Sequence, residues 1–322
     1  MDRDISPPPA RKRRLEEGEE AEDLSNEWHE GDVFSIFSWN INGISPFLQR
    51  SIKAFFQPRS TSNSTTHSQI TSVSLRDFLR RQNWPTVLCL QEVKINPDDS
   101  ATKRAVEKVV RCPTPNPFTE PDYQAFFVLP CDPHNARGFG RKVYGVCTIV
   151  RSDFLAGAKA KTRTVDWDLE GRFSIIETEA TARLPKLSIW NIYAVNGTNN
   201  PYKDPVTGEV TGTRHDRKLA VHKLILKECL RLETEGYQVI LAGDINIARS
   251  AIDGFPNLRT FPEQHSRNRA DFNEKFFQDE KGLRALDTFR HLHPQQRGYT
   301  YYPRGGVFGL SCDRVGVDMT LN

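Results

Sequence analysis

The sequence predicts an α/β protein whose sheet surfaces pack on each other under a cover of helices. Strand-like runs rich in β-branched and aromatic residues recur along the chain, some directly following one another, and amphipathic helical runs stand between others. A length of 322 residues suits one large α/β domain with a tail.

Residues 1–30 are charged, lack the apolar core of a signal peptide and read as a disordered tail before a domain spanning 31–322. Within them Arg11–Arg14 reads two ways, as a nuclear import signal or as a solvated basic run, so the expectation is an intracellular setting, nuclear on the first reading and cytoplasmic otherwise. "VFSIFSWNI" is the first strand-like run. A Ser/Thr/Asn/Gln-rich stretch over about 57–73 reads as a polar loop insertion before the helix "SLRDFLRRQ". Then come the strand "TVLCLQEV", a helix near "SATKRAVEKVV", and the strands "YQAFFVLP", "YGVCTIVR", "FSIIETEA" and "KLSIWNIYAV". The long helix "RHDRKLAVHKLILKECLRLETEG" follows, with Leu219, His222, Leu226, Cys229 and Leu230 along one face and Gly236 as its stop. "QVILAGDIN" is the next strand.

Charged residues make up 26% and hydrophobic ones 37%, with no apolar run of membrane-spanning length. A net charge of +3 permits a nucleic-acid partner without requiring one. The six cysteines are scattered, with no CxxC pair and no zinc-like spacing to histidine, and read as reduced thiols.

Four strands end in residues that a metal or a phosphate would attract: Asn40 and Asn42, Gln91 and Glu92, Tyr193 and Asn196, Asp244 and Asn246. Each alone has a structural explanation, as a turn former, a half-buried phenol or a solvated acid. Four in succession favour a built site, because loops at sheet ends are where sites assemble. The set offers only oxygen donors with two anions, Glu92 and Asp244, which suits Mg²⁺ or Mn²⁺ rather than zinc. The matching substrate is a phosphate ester. Asp244 can orient or deprotonate the attacking water, Asn246 can donate to developing negative charge, and Tyr193 can hydrogen-bond a phosphate oxygen. Asn42 and Asn196 are the candidate substrate contacts.

"SWNINGI", "LCLQEVK", "YGVCTIV", "NIYAVN", "LAGDINIA" and "ALDTFRHLHPQQRGYTYYPR" occur in an order that resembles the exonuclease III class of apurinic/apyrimidinic endonucleases, of the DNase I-like endonuclease/exonuclease/phosphatase superfamily. The resemblance runs from about Val33 to Arg314. It implies a four-layer α/β sandwich, two packed mixed sheets flanked by helices, with the site at one end. By it the metal positions fall on Asn40, Glu92, Asp244 and Asn246, the phosphate-contacting tyrosine on Tyr193 and the proton-handling aspartate on Asp244. The implied partner is DNA, damaged or abasic, and a monomer is expected. Another phosphoesterase of the superfamily, acting on RNA or a small phosphate ester, and a catalytically dead nucleic-acid binder are the alternatives.

The resemblance breaks at the end. Gly316 stands where an Asp is expected, Asp318 comes two residues later, and no closing Ser-Asp-His follows. His291 and His293 read as structural residues that do not replace the missing one. The expectation is a chain truncated before its terminal motif, catalytically impaired and with an exposed sheet edge. Upstream, "GTNNPYKDPVTGEVTGT" separates Asn196 from Arg214, where abasic-site enzymes usually carry an Arg sooner, and reads as a long loop able to reshape substrate choice. Trp167, Phe255 and Phe261 read as packing residues before base-stacking ones.

Overall fold

The computed structural model describes residues 34–48, 74–112, 120–136, 142–182 and 184–300, with the backbone of 312–313 and 319–320. The expected tail, Arg11–Arg14, the 57–73 insertion, Gly316 and Asp318 lie outside these residues.

Strand β1 (Ile36–Asn40) pairs in parallel with β2 (Val87–Gln91). β3 (Tyr123–Val128) and β4 (Val146–Arg151) complete a four-stranded sheet in the order β1-β2-β4-β3. A second, six-stranded sheet contains β5 (Lys161–Arg163), β6 (Phe173–Glu177) and β7 (Leu187–Tyr193). β10 (Gln238–Asp244) runs parallel to β7, and β14 (Met319–Thr320) pairs antiparallel with β10 and with β12 (Leu286–Asp287). The β10–β14 pairing falls at Ile240 and Leu241. Two short pairs stand apart, β8 (Pro201–Lys203) with β9 (Val210–Thr213), and β11 (Gly254–Phe255) with β13 (Cys312–Asp313).

Side-chain alternation makes the four layers. In β2, Val87 and Cys89 face the core between the sheets, while Leu88 and Leu90 pack outward with Leu75, Phe78, Leu79, Val106 and Val110 of helices α1 (Leu75–Arg81) and α2 (Ser100–Val110). In β10, Ile240 and Ala242 face inward, and Val239 and Leu241 pack outward with Val221, Ile225, Cys229 and Leu232 of helix α4 (Arg214–Thr234). Each fully buried aliphatic side chain contributes about 1.5–3 kcal/mol. The remaining helices are α3 (Ser152–Gly157), α5 (Gln264–Asn273) and α6 (Thr288–Leu292). Among the described residues Cys131, Cys147 and Cys229 are free thiols. Among the described residues no helix is long and apolar enough to cross a membrane.

Helix α4 starts at a capping box, in which Thr213 Oγ1 accepts from Asp216 N (3.3 Å) and Asp216 Oδ2 accepts from Thr213 N (2.8 Å). Beyond its end Gly236 adopts φ +82°, the left-handed conformation that stops a helix. Its buried stripe is His215, Lys218, Val221, His222, Ile225, Cys229 and Leu232, so of the expected face only His222 and Cys229 are central, and Leu219, Leu226 and Leu230 lie at its margin. The stripe shifted because the helix also packs on α5, where His222 Nδ1 sits 2.8 Å from Asp271 Oδ2 and the His222 ring meets Phe272.

One polar seam crosses the core between the sheets. Gln91 Nε2 donates to Asn191 Oδ1 (2.8 Å), and Asn191 Nδ2 donates to Thr148 Oγ1 (3.1 Å) and to the Cys147 carbonyl (3.1 Å). The Thr148 hydroxyl bonds Ser174 Oγ (3.0 Å). Gln91 therefore belongs to the interior, not to the strand-end site the sequence suggested, because as the last residue of β2 it keeps the strand's alternation and faces the second sheet.

Candidate active site

β1 and β2 are parallel, as are β7 and β10, so each pair delivers two chain ends to the same edge of its sheet. Asn40 closes β1, Glu92 follows β2, Tyr193 closes β7 and Asp244 closes β10. Packing of the sheets brings the four together. Asn40 Nδ2 donates to Glu92 Oε1 (3.0 Å) and to Asp244 Oδ2 (2.8 Å). The Tyr193 hydroxyl donates to the same Glu92 Oε1 (2.9 Å).

The backbone beyond each strand is turned sharply. Asn42, Glu92, Lys94 and Asn246 all carry positive φ, between 50° and 56°, a left-handed conformation uncommon for residues other than glycine. Such strain concentrates where a fold must aim side chains. Asp244 and Asn246 do not sit on one continuous extended strand. The chain bends, so that Asn246 N donates to Asp244 Oδ1 (3.0 Å) and its side-chain amide donates to the Ala194 carbonyl (2.9 Å). The bend fixes the Asp244 carboxylate through the Asn246 backbone and engages the nitrogen of the Asn246 amide. Gly243, at φ +137°, is required here, since a Cβ would lie 2.0 Å from the Ile192 carbonyl oxygen.

The two carboxylates have different electrostatics. Burial pushes Asp244 up to about 6, opposed by the hydrogen bonds from Asn40 and from the Asn246 backbone and reinforced by the Glu92 charge. Burial also pushes Glu92 up, but hydrogen bonds from Asn40, Lys94 and Tyr193 outweigh it and hold Glu92 below the usual carboxylate range. Burial, with the nearby Glu92 charge, raises the Tyr193 phenol well above its ordinary value, so it stays protonated at neutral pH.

Asn42 is exposed and accepts from the Lys94 ammonium, which also pairs with Glu92 Oε2 at 2.8 Å. Asn196 is exposed past β7 and joins none of these hydrogen bonds among the described residues. His291 and His293 are exposed on and after α6. Trp167 packs on Phe173 as expected, with ring centroids 4.9 Å apart, whereas Phe261 is 87% exposed and Phe255 49% exposed, so neither is a core packing residue.

Three groups escaped the sequence reading. Lys94 stood in "LCLQEVK" without a role. Lys218, whose ammonium donates to the Asn246 carbonyl (2.7 Å), could have been noticed as a lysine one turn from His215 on the buried face of an amphipathic helix. Glu170, nearly fully buried, accepts from Arg172 Nε (3.0 Å), Arg214 Nη2 (2.6 Å) and Arg217 Nε (3.3 Å). Arg172 then lies 4.9 Å from the Tyr193 ring and donates to the Tyr193 carbonyl (3.1 Å). The long loop is a hairpin: Lys203 exchanges hydrogen bonds with Asn135 (2.7 and 2.9 Å), and Tyr202 lies under the guanidinium groups of Arg214 and Arg217.

An edge-on oxygen site between two packed mixed sheets defines a class, and the family model for the endonuclease/exonuclease/phosphatase family matches residues 37–313. The chain belongs to that family. No curated protein sequence matches it. Its fold is similar to that of an AP endonuclease from Leishmania major, at 18% identity and TM-score 0.59, over 89% of this chain and 79% of that one. The APE2 catalytic domain from Xenopus laevis is similar at 19% identity and TM-score 0.56, over 89% and 82%. A 3′ phosphatase from Neisseria, bound to a product DNA hairpin, is similar at 15% identity and TM-score 0.51, over 90% and 87%.

The donor chemistry fits a hard divalent cation. Asn40 Nδ2 touches an oxygen of each carboxylate, so Glu92 and Asp244 converge on one point. Among the described residues no three His, Cys, Asp or Glu side chains are placed to hold a metal ion together, so the protein's charged donors would be these two carboxylates, supplemented by amide and solvent oxygens. That is the sparse, oxygen-only arrangement Mg²⁺ favours.

Proposed function

We propose that this chain is a divalent-metal-dependent phosphodiesterase acting on DNA, at abasic sites or at 3′ ends. The observation that carries the reading is the convergence of Glu92 and Asp244, from different sheets, on Asn40 beside the Tyr193 hydroxyl. Glu92, Asp244 and the amide oxygen of Asn246 would hold Mg²⁺ or Mn²⁺, and Asn40 would join through its oxygen on turning its amide over. When bound, the cation neutralises the phosphate and stabilises the leaving alkoxide.

The chain's own groups supply the rest. Asp244, raised to about 6 and aimed by Asn40 and the Asn246 N–H, is matched to taking a proton from attacking water near neutral pH. Tyr193 keeps its proton and can donate it in a hydrogen bond to a non-bridging phosphate oxygen. Lys94 adds positive charge beside Glu92, and Lys218 fixes the bend that orients Asp244. Damaged or abasic duplex DNA is the substrate class the similar structures support. The Arg11–Arg14 run supports a nuclear setting, which loss of nuclear accumulation on its deletion would test.

The experiment is cleavage of 5′-labelled duplexes, one with a tetrahydrofuran abasic site and one with a recessed 3′ end, with Mg²⁺ and with EDTA. Metal-dependent product that disappears in Asp244→Asn is expected. Salt-sensitive DNA binding without product in any metal would instead identify a binder that has lost its chemistry. Activity confined to RNA or small phosphate esters would move the chain elsewhere in its family.

A further inference from the structure

Tyr144 is 40% exposed, yet it belongs to the site. Its ring centroid lies 5.8 Å from that of Tyr193 at an interplanar angle of 41°, a tilted ring contact. The Lys94 ammonium lies 5.4 Å from its centroid. Of the large exposed apolar or aromatic side chains, which include Val206, Val210, Phe255, Phe261 and Leu292, only Tyr144 has a ring contact with a site residue among the described residues.

The backbone beneath Tyr144 is fixed to the segment that carries Glu92. Lys94 N donates to the Tyr144 carbonyl (2.9 Å), Val93 N to the Gly145 carbonyl (3.3 Å) and Val143 N to the Ile95 carbonyl (3.2 Å). Gly145 permits this approach: its φ is +61°, and a Cβ there would meet Leu129 Cδ2 at 2.6 Å. A partly exposed ring is thus carried on an anchored backbone beside the Tyr193 phenol, with the Lys94 ammonium over one of its faces. The remaining face of such a ring has the chemistry on which nucleobases stack.

We propose that Tyr144 is a positioning residue that stacks the nucleobase flanking the scissile phosphate. The proposal rests on the phosphodiesterase reading above. A ring anchored by its backbone loses little conformational freedom on binding, so the contact acts on substrate capture more than on the chemical step.

The test uses wild-type, Tyr144→Phe and Tyr144→Ala proteins with an abasic-site duplex oligonucleotide carrying 2-aminopurine, unpaired opposite a second abasic residue, beside the cleaved linkage. Binding is read by fluorescence in EDTA and cleavage by product formation in Mg²⁺. Stacking predicts quenching by wild type and Tyr144→Phe, its loss in Tyr144→Ala, and a KM raised about tenfold in Tyr144→Ala with kcat changed less than about threefold. A linkage flanked on both sides by abasic residues should show no difference between wild type and Tyr144→Ala. Unchanged quenching and KM in Tyr144→Ala, or an equal loss on the base-free linkage, overturns the stacking role while leaving the enzyme reading intact. A wild-type protein that neither binds nor cuts either oligonucleotide overturns both.

Discussion

Asn40 and Asp244, 204 positions apart in the chain, share a hydrogen bond of 2.8 Å that joins the end of a strand in one sheet to the end of a strand in the other. The same Asn40 nitrogen holds Glu92, so one amide sets the spacing of both carboxylates. Replacing it with Ala should leave Glu92 and Asp244 mutually repelling and unaligned. Asn40→Ala is expected to lower kcat/KM on the order of 10²-fold, the usual cost of losing one preorganised polar group. Steady-state kinetics at saturating Mg²⁺ checks it, and activity within threefold of wild type would refute the assignment.

Asp244 trades stability for reactivity. Its pKa in the fold, about 6, lies above the ordinary 3.8, so between these values the folded protein holds a proton that the unfolded chain has released. Stability should therefore fall as pH rises through that window, and the penalty is fully present at pH 7. A shift of this size corresponds to about 3 kcal/mol, part of which the hydrogen bonds to an ionised Asp244 support and an amide would forgo. In EDTA at pH 7, Asp244→Asn is expected to be more stable than wild type by ~1–2 kcal/mol, with the gap closing toward pH 4. Added Mg²⁺ should raise the wild-type melting temperature and not that of Asp244→Asn. Denaturant melts across pH, with and without metal, provide the measurement.

Glu170 works with the opposite sign. Burial pushes it up, but Arg172, Arg214 and Arg217 more than compensate and draw it down to about 2, below the ordinary 4.5. The stability it contributes is present above about pH 4.5 and is lost as the pH falls toward 2. Removing the charge leaves buried guanidinium groups without their partner, so Glu170→Gln should cost on the order of 3 kcal/mol at pH 7 and much less at pH 2.5. Because Arg172 packs against Tyr193, catalytic rate should fall as well. A pH-independent stability difference would sink this account.

Gly243 carries a steric prediction. Gly243→Ala must place a methyl group onto the Ile192 carbonyl at a φ of +137°. Strain and displacement together should destabilise the protein on the order of 3 kcal/mol. Activity should fall further than Gly→Ala changes do elsewhere, since Asp244 is the next residue. Thermal melts and cleavage assays decide it.

The strands and main helices could be read locally, because period-two alternation and capping residues act within a few positions. Ser100–Val110 and the stop at Gly236 are examples. The site residues were readable as strand ends, but their partners were not: whether Glu92 meets Asn40 depends on how β1 and β2 pair, which no local pattern states. Gln91 and Glu92 are adjacent, yet one turns into the core and the other into the site, because the chain enters the left-handed region at Glu92. The segment read as a loop before Arg214 folds as a hairpin through Asp204, whose carboxylate accepts from Val206 N and Thr207 N (both 2.8 Å), and Gly208 at φ +76°. Phe261 shows the limit of composition, since nothing about an isolated phenylalanine says which side of a loop it faces.

The seam of Gln91, Asn191, Thr148 and Ser174 has a consequence for how such a protein can be rebuilt. Apolar layers slide with little directional preference, but these four side chains fit one another in a single alignment, and a slip of one residue along a strand, about 3.3 Å, would orphan all of them. They act as a key that indexes one half of the molecule against the other. A chimaera that takes its first sheet from one relative and its second from another should inherit a working catalytic edge only if the key and its lock come from compatible parents.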